Sequence, residues 1–349
     1  MHWPADTARN CPRRLFRPVP GSAARLRLAP SLLVAAAVCA AAAAPATVLA
    51  QAYPSKPIRV IVPFPPGNTG DIVSRLVGPK ITERHGQPVI VDNRPGASGT
   101  LGLELAARTA PDGYTLAFGQ GGNMVVLPHT MKKVPYDPLK DFAPVALVAT
   151  NYLAIVVHPS VPFRSVRELI DYARKNPGRL SVGTNGEGGF PHLAFEDLRL
   201  QANFKYLHVP YKGSAQIASE LMGGQIDAAI DGFTGLAPHV KSGRLRLLAF
   251  TNPTRIGTFP DIGVVTEAVP GYESRGWFGF IAPAGIARDI VGTLNRTIND
   301  ALQMPDVRDP LQQGGLILMR ESPEFFGDLI RRDFSRYGKL VRDIGFQPQ

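Results

Sequence analysis

Ile58-Arg-Val-Ile-Val-Pro-Phe-Pro-Pro-Gly-Asn-Thr-Gly-Asp71 decides how this chain is read. A short apolar strand, Ile58 to Val62, runs into a Pro/Gly loop. Asp71 then opens an amphipathic helix through Ile72, Leu76 and Val77. The order strand, loop, helix places the loop at the carboxyl end of a strand, where open α/β sheets bind ligands. Free backbone N–H groups and the helix dipole favour an anion there. The loop has no Lys and no Gly-Lys-Ser/Thr, so it is not a nucleotide phosphate loop. It suits a small acid held by backbone and hydroxyl groups.

The pattern repeats outward. Strand Val89–Asn93 leads through Pro95-Gly-Ala-Ser-Gly99 to a helix from Thr100, and strand Tyr114–Gly119 leads to Gln120-Gly-Gly-Asn123. This βαβαβ run predicts a parallel sheet with right-handed crossovers. From Tyr152 the same architecture returns. Ser165 followed by Glu168 is a capping box opening a helix. Strand Leu180–Thr184 precedes the loop Asn185-Gly-Glu-Gly-Gly189 and a helix from Pro191. Further strands are expected at Phe204–Val209, Ala228–Asp231 and Leu245–Thr251, with a helix at Ser214–Met222. A return strand, Gly276–Ala282, and three helical patterns close the chain. The expectation is an α/β protein of two lobes, each a central, mostly parallel sheet flanked by helices. Residues 53–153 plus 270–349 form the first lobe and 154–269 the second. Two such lobes around a cleft form a ligand-closing design.

The first fifty residues read as a leader. Six Arg precede an Ala-rich apolar stretch that ends at Val48-Leu49-Ala50. This is an export signal, cleaved near Ala50, and it sets the location as periplasmic. The stretch is short and broken by Pro30 and Pro45, unlike a membrane anchor. It carries six Arg and one acid, Asp6, so its removal lowers the net charge from +10 to +5. No basic run remains for nucleic acid. Both cysteines, Cys11 and Cys39, lie in the leader. The mature chain therefore has no disulfide, thiolate metal site or Cys nucleophile. It also lacks His-Glu-x-x-His and Gly-x-Ser-x-Gly, and its histidines are scattered without metal spacing. No enzyme, metal or cofactor is expected.

Many separate segments together resemble one family. They are Tyr53-Pro-Ser-Lys-Pro-Ile58, Asp92-Asn-Arg-Pro-Gly-Ala97, Ala110-Pro-Asp-Gly-Tyr-Thr-Leu116, Val209-Pro-Tyr-Lys-Gly213, Gly243-Arg-Leu-Arg246 and Trp277-Phe-Gly279. In this order, and over essentially all of Tyr53–Phe346, the chain resembles the receptors of tripartite tricarboxylate transporters, the TctC or Bug family. The resemblance implies a type II periplasmic binding protein fold. It implies a monomeric solute receptor that captures a small organic carboxylate by lobe closure and presents it to membrane transporter subunits. A sensor that presents ligand to a signalling system is the alternative, and an enzyme acting on a small acid the more distant one.

The expected ligand contacts follow the loops. On the first lobe they are Phe64, Gly67, Asn68, Thr69, Gly70 and Asp71, with Gln120 and Asn123. On the second they are Thr184, Asn185, Gly188, Gly189 and Asp231. Family members usually carry Gly where Asn68 stands and a hydroxyl or amide residue where Gly70 stands. Asn tolerates left-handed dihedrals and adds a side-chain amide. Asp71 is read chiefly as ordering the loop, because a carboxylate aimed at an acid costs energy.

Overall fold

Strands β1 (Ile58–Val62) and β2 (Val89–Asn93) form at the residues their pattern predicts. The computed structural model describes residues 53–257 and 259–348; the expected leader and its expected cleavage site near Ala50 lie outside the described residues. Helix α1 (Thr69–His85) starts two residues before Asp71, because the Asn68 side chain caps it by accepting from the Gly70 N–H. It ends at Gly86, whose φ of 73° supplies the left-handed cap. Helix α2 (Thr100–Ala107) leads to β3 (Thr115–Gln120). A π-turn at Gly122–Val126 and a short helix, α3 (Leu127–Thr130), follow. Sequence patterning did not anticipate either of them.

The next strand is the largest departure from expectation. The strand expected to open the second half at Tyr152 is only the end of β4, which runs sixteen residues from Phe142 to Val157. Its first part is apolar without alternation, which is how a strand buried on both faces reads.

The second half contains α4 (Val166–Lys175), β5 (Ser181–Asn185), α5 (Phe190–Ala202), β6 (Leu207–Tyr211), α6 (Ser214–Met222) and β7 (Ala228–Gly232). Next come α7 (Phe233–Lys241), β8 (Arg246–Phe250) and β9 (Arg275–Pro283). Ser165 caps α4 as expected, its Oγ accepting from the Glu168 N–H at 3.2 Å. Helix α7 has no counterpart among the expected elements; Gly235 and Pro238 inside it weaken its helical pattern. The tail supplies α8 (Arg288–Ala301), α9 (Pro305–Gln313), β10 (Ile317–Leu318) and α10 (Pro323–Asp343).

Strand pairing makes the two halves copies of one order. The first reads β2-β1-β3-β9-β4 and the second β6-β5-β7-β4-β8. In the first, β9 runs against its neighbours; in the second, β4 does. One strand thus serves both sheets, its early part pairing β9 and its late part β7 and β8. The handover falls between Tyr152↔Arg275 and Leu153↔Gly232. Along the late part, Leu153, Ile155 and Val157 enter one core while Tyr152, Ala154 and Val156 enter another. Tail helices α8 and α10 pack on opposite faces of the first sheet, through Leu294 and Ile298 on one and Phe326 and Leu340 on the other.

Gly279, in the middle of β9, shows how tightly α10 is seated. A Cβ there would lie 2.5 Å from the Phe326 ring and 2.7 Å from the Ala146 carbonyl oxygen. The ring can turn but the backbone cannot. Gly279→Val is therefore expected to cost about 3 kcal/mol through overpacking. Thermal unfolding should show this as a fall of roughly 6 °C or more.

Candidate functional site

The register puts the carboxyl ends of β1, β2 and β3 level with one another, and level with the point where β4 passes from β9 to the second sheet. Val62 pairs Asn93, and Gln120 pairs Phe278 just beyond the Asn151↔Gly276 crossing. In the second sheet, β7 ends at Gly232 opposite Leu153, and β5 and β6 end together at Asn185↔Tyr211. Both sets of strand ends therefore point toward the crossing. The loops expected to bind ligand all emerge there.

The first loop is built by its own side chains. The Gly67 N–H, at φ +83°, donates to Asp71 Oδ2 at 2.9 Å, and the Gly70 N–H donates to Asn68 Oδ1 at 2.9 Å. Arg75 Nε holds the other Asp71 oxygen at 2.9 Å. Asp71 is buried, and both its oxygens are engaged within the protein. Burial raises its pKa, but the Gly67 amide, Asn93 and Arg75 outweigh burial and hold the carboxyl below the usual carboxylate range. The amides of Gly67 and Gly70, expected to face a ligand, are thus already occupied. Asn68 Oδ1 accepts from Gln120 Nε2 as well, at 3.4 Å. The hydroxyl of Thr69 has no hydrogen-bond partner among the described residues.

Gly70 has a steric cause. A Cβ there would sit 2.6 Å from Cδ1 of Phe118, a fully buried core ring. The hydroxyl residue that family resemblance expects at this place does not fit against that ring. Gly70→Ser is expected to cost roughly 1–3 kcal/mol by displacing Phe118, measurable by urea unfolding. A stability equal to the parent would show that the ring gives way freely.

The third loop brings three expected residues together. Asn123 is 2% exposed. Its Oδ1 accepts the Gln120 N–H at 3.0 Å, and its carbonyl accepts from the Tyr136 hydroxyl at 2.6 Å. Its Nδ2 is buried with no hydrogen-bond partner. Beside it lie Gly99 and Phe64: a Cβ on Gly99 would be 2.9 Å from Asn123 Nδ2 and 3.1 Å from the Phe64 ring. Phe64 is half-buried and its carbonyl accepts from Asn93 Nδ2 at 3.0 Å. Gly99, at φ +93°, was not singled out from the sequence. Its signal, a Gly closing Pro95-Gly-Ala-Ser-Gly99, was present. What makes it matter is an approach to residues 24 and 35 positions away. Trp277 lies beneath this loop, 3.4 Å from where a Cβ on Gly121 would be, and its indole N–H donates to Asp333 at 3.0 Å.

On the second lobe the expected residues are more occupied. Thr184 is fully buried, its hydroxyl 2.7 Å from His208 Nε2 and donating to the Gly186 carbonyl at 3.2 Å. The Gly188 N–H donates to His192 Nδ1 at 3.0 Å. Gly188 sits against Phe346 and Thr130 of the first half, where a Cβ would come within 2.8 Å of the Phe346 ring. Gly189 is the uncapped N-cap of α5, and Asn185 is exposed. Asp231 is buried, with the Ser214 hydroxyl donating to it. Burial lifts its carboxyl above the ordinary range, only partly offset by Ser214 and the Gly232 amide. It ties the end of β7 to the first turn of α6. The rings of His192 and His208 stack at 3.8 Å and 4°, a pair that sequence distance concealed.

Gln120, Asn123, Phe64 and Asn68 thus converge at the end of β3, opposite a lobe whose loop is held by the histidine pair. Residues 73–346 match the family described as "Tripartite tricarboxylate transporter family receptor". The match begins inside α1, just after the first loop. A protein from the tcbD-tcbE intergenic region of Pseudomonas sp. strain P51 is 39% identical over 293 residues, 83% of this chain and 87% of that one. The solved structure of Rhodopseudomonas palustris Rpa4515 with adipate is 32% identical with a TM-score of 0.73, covering 85% of this chain and 100% of that one. MatC from the same organism, with bound malate, is 29% identical with a TM-score of 0.68, covering 83% of this chain and 100% of that one. Coverage on this scale, with the doubled sheet order already described, means that the chain belongs to the tripartite tricarboxylate transporter receptor family.

Proposed function

We propose that this protein is a periplasmic receptor that captures a small organic carboxylate between two lobes and delivers it to a tripartite tricarboxylate-type membrane transporter. One observation carries the reading: the buried, unpartnered Asn123 Nδ2 at the end of β3. A buried donor without a partner costs about 1–3 kcal/mol. A ligand oxygen placed there removes that cost and shares the site with Gln120 and Thr69. The pairing of similar chains with adipate and malate supports a carboxylate as that ligand.

The lobes are residues 53–153 with 270–349, and 154–269, hinged where β4 passes from β9 to the second sheet. Closure brings Asn185 and Gly189 over the ligand, where drier surroundings strengthen each hydrogen bond. The leader directs export, and the receptor works as a monomer without a cofactor or catalysis.

A thermal-shift screen of mono-, di- and tricarboxylates, starting with adipate and malate, tests the proposal. A ligand at one hundred times its dissociation constant should add about 2.7 kcal/mol of stability. The same ligand should change the fluorescence of Trp277, which packs under the Asn123 loop. A screen in which no carboxylate stabilises the protein would count against the receptor reading.

A further inference from the structure

Away from the cleft, two helices turn the same short pattern toward one space. Helix α8 carries Arg288, Gly292 and Arg296 at four-residue spacing, and α10 carries Gly327 and Arg331. Residues four apart share a helix face. A Cβ on Gly292 would lie 3.4 Å from Arg296 Nη1, and one on Gly327 would lie 3.5 Å from Arg331 Nη1. In each helix the guanidinium therefore folds back over bare backbone, toward the helix N-terminus.

These stripes line one cavity of about 690 Å³. Its floor includes Ala143 and Pro144, which pair with Ala282 and Ile281 at the end of the sheet remote from the Asn151↔Gly276 crossing. Three guanidiniums meet one acid in the lining, Glu324. Among the described residues Arg288 and Arg296 have no ion-pair partner, while Arg331 bonds Asp328 at 2.5 Å. Glycine in a helix interior costs about 1 kcal/mol relative to alanine. Gly327 is also set by packing, since a Cβ there would meet Pro144 Cγ at 3.2 Å; Gly292, with only Arg296 in reach, is a cost that packing does not require, and it lies among three exposed arginines that line one space.

We propose that this cavity is a second ligand site, for a phosphate oxyanion. Guanidinium forks match phosphate oxygens two at a time. A phosphoryl group offers three oxygens where a carboxylate offers two, enough for the unpaired Arg288 and Arg296 and for Arg331 shared with Asp328. Arg288 and Pro323, the first residues of α8 and α10, are both in the lining, so the favourable end of each helix dipole lies at one edge of the cavity. The proposal is independent of the carboxylate reading. The phosphate is either free or carried on a lipid headgroup.

Inorganic phosphate and pyrophosphate, titrated calorimetrically at low ionic strength, provide the first arm. Sedimentation with phosphatidylglycerol vesicles against phosphatidylcholine vesicles provides the second. Binding in either arm is expected to weaken at least tenfold in the Arg288→Ala/Arg296→Ala/Arg331→Ala variant. It should also weaken in Gly292→Leu, which leaves the charge unchanged but lifts Arg296 off the helix. It should persist in Asn123→Asp, which alters only the cleft. Binding in the vesicle arm alone assigns the phosphate to a lipid. No binding in both arms overturns the proposal. So does binding that the arginine variant leaves unchanged, or that Asn123→Asp abolishes.

Discussion

Asn123→Asp is expected to weaken carboxylate binding at least 100-fold while leaving the protein folded. The substitution is nearly isosteric. It keeps the oxygen that accepts the Gln120 N–H at 3.0 Å, so the loop retains its internal bond. What changes is the other end. A buried donor becomes a carboxylate oxygen facing the ligand's own carboxylate. The lost hydrogen bond to a charged ligand is worth about 1.5–3 kcal/mol, and the like-charge contact adds to it. A pH series distinguishes this from simple misfolding. Buried beside a second carboxylate, the new Asp takes up a proton more readily than a free one. Once protonated it is a donor again. Calorimetric titration should therefore show affinity recovering as pH falls toward 5, with the circular dichroism spectrum unchanged. Affinity equal to the parent at pH 7.5 would remove Asn123 from the site.

Stability is expected to fall as pH drops from about 6.5 toward 4, because the second-lobe loop rests on neutral histidines. Burial, then the neighbouring His192, pushes His208 down from 6.5 to about 4. Burial also lowers His192, against the attraction of Glu196 and Glu187 and with the repulsion of Arg199. Between the folded and unfolded values the unfolded chain binds more protons than the native one, so stability rises with pH across that window. A depression of this size on a fully buried ring would be worth about 3 kcal/mol. His208 is half-buried, so about 2 kcal/mol is the better expectation. Protonating His192 also removes the Nδ1 acceptor for the Gly188 N–H, and two stacked imidazoliums repel. Asp71 acts in a lower window: its depressed carboxyl contributes stability that is lost only as pH falls through its folded value, below the usual carboxylate range. Urea unfolding at pH 7.5, 5.5 and 4.5 measures the slope. His208→Gln keeps a polar end near Thr184 but does not titrate, and should flatten the slope. An unchanged slope in that variant would place the titrating group elsewhere.

Local pattern was enough for β1, β2, α6 and the Ser165 cap, because each depends on residues within one or two turns of itself. It was also enough to place the loops expected to bind ligand after β1, β3 and β5, since a loop between a strand and a helix has only one end of the strand to occupy. It did not reveal that β4 begins at Phe142. A strand buried on both faces shows no alternation, and Pro144 within it resembles a break. Nor did it reveal how each polar group in the loops is employed.

By itself, the sequence determined a chain of strand–loop–helix units repeated in two halves, with Gly, Asn and hydroxyl residues at the strand ends. These are short-range matters of periodicity, capping and dihedral freedom. Only the tertiary structure decided which of those groups are already bonded within the protein. Gly67 and Gly70 give their amides to Asp71 and Asn68, and Gly188 gives its amide to His192. Asn123 Nδ2, enclosed by Phe64 and Gly99, keeps its hydrogen unshared. A donor's partner is whichever acceptor the fold brings within 3 Å. For Asn123 that outcome depends on loops 24 and 59 residues away in sequence.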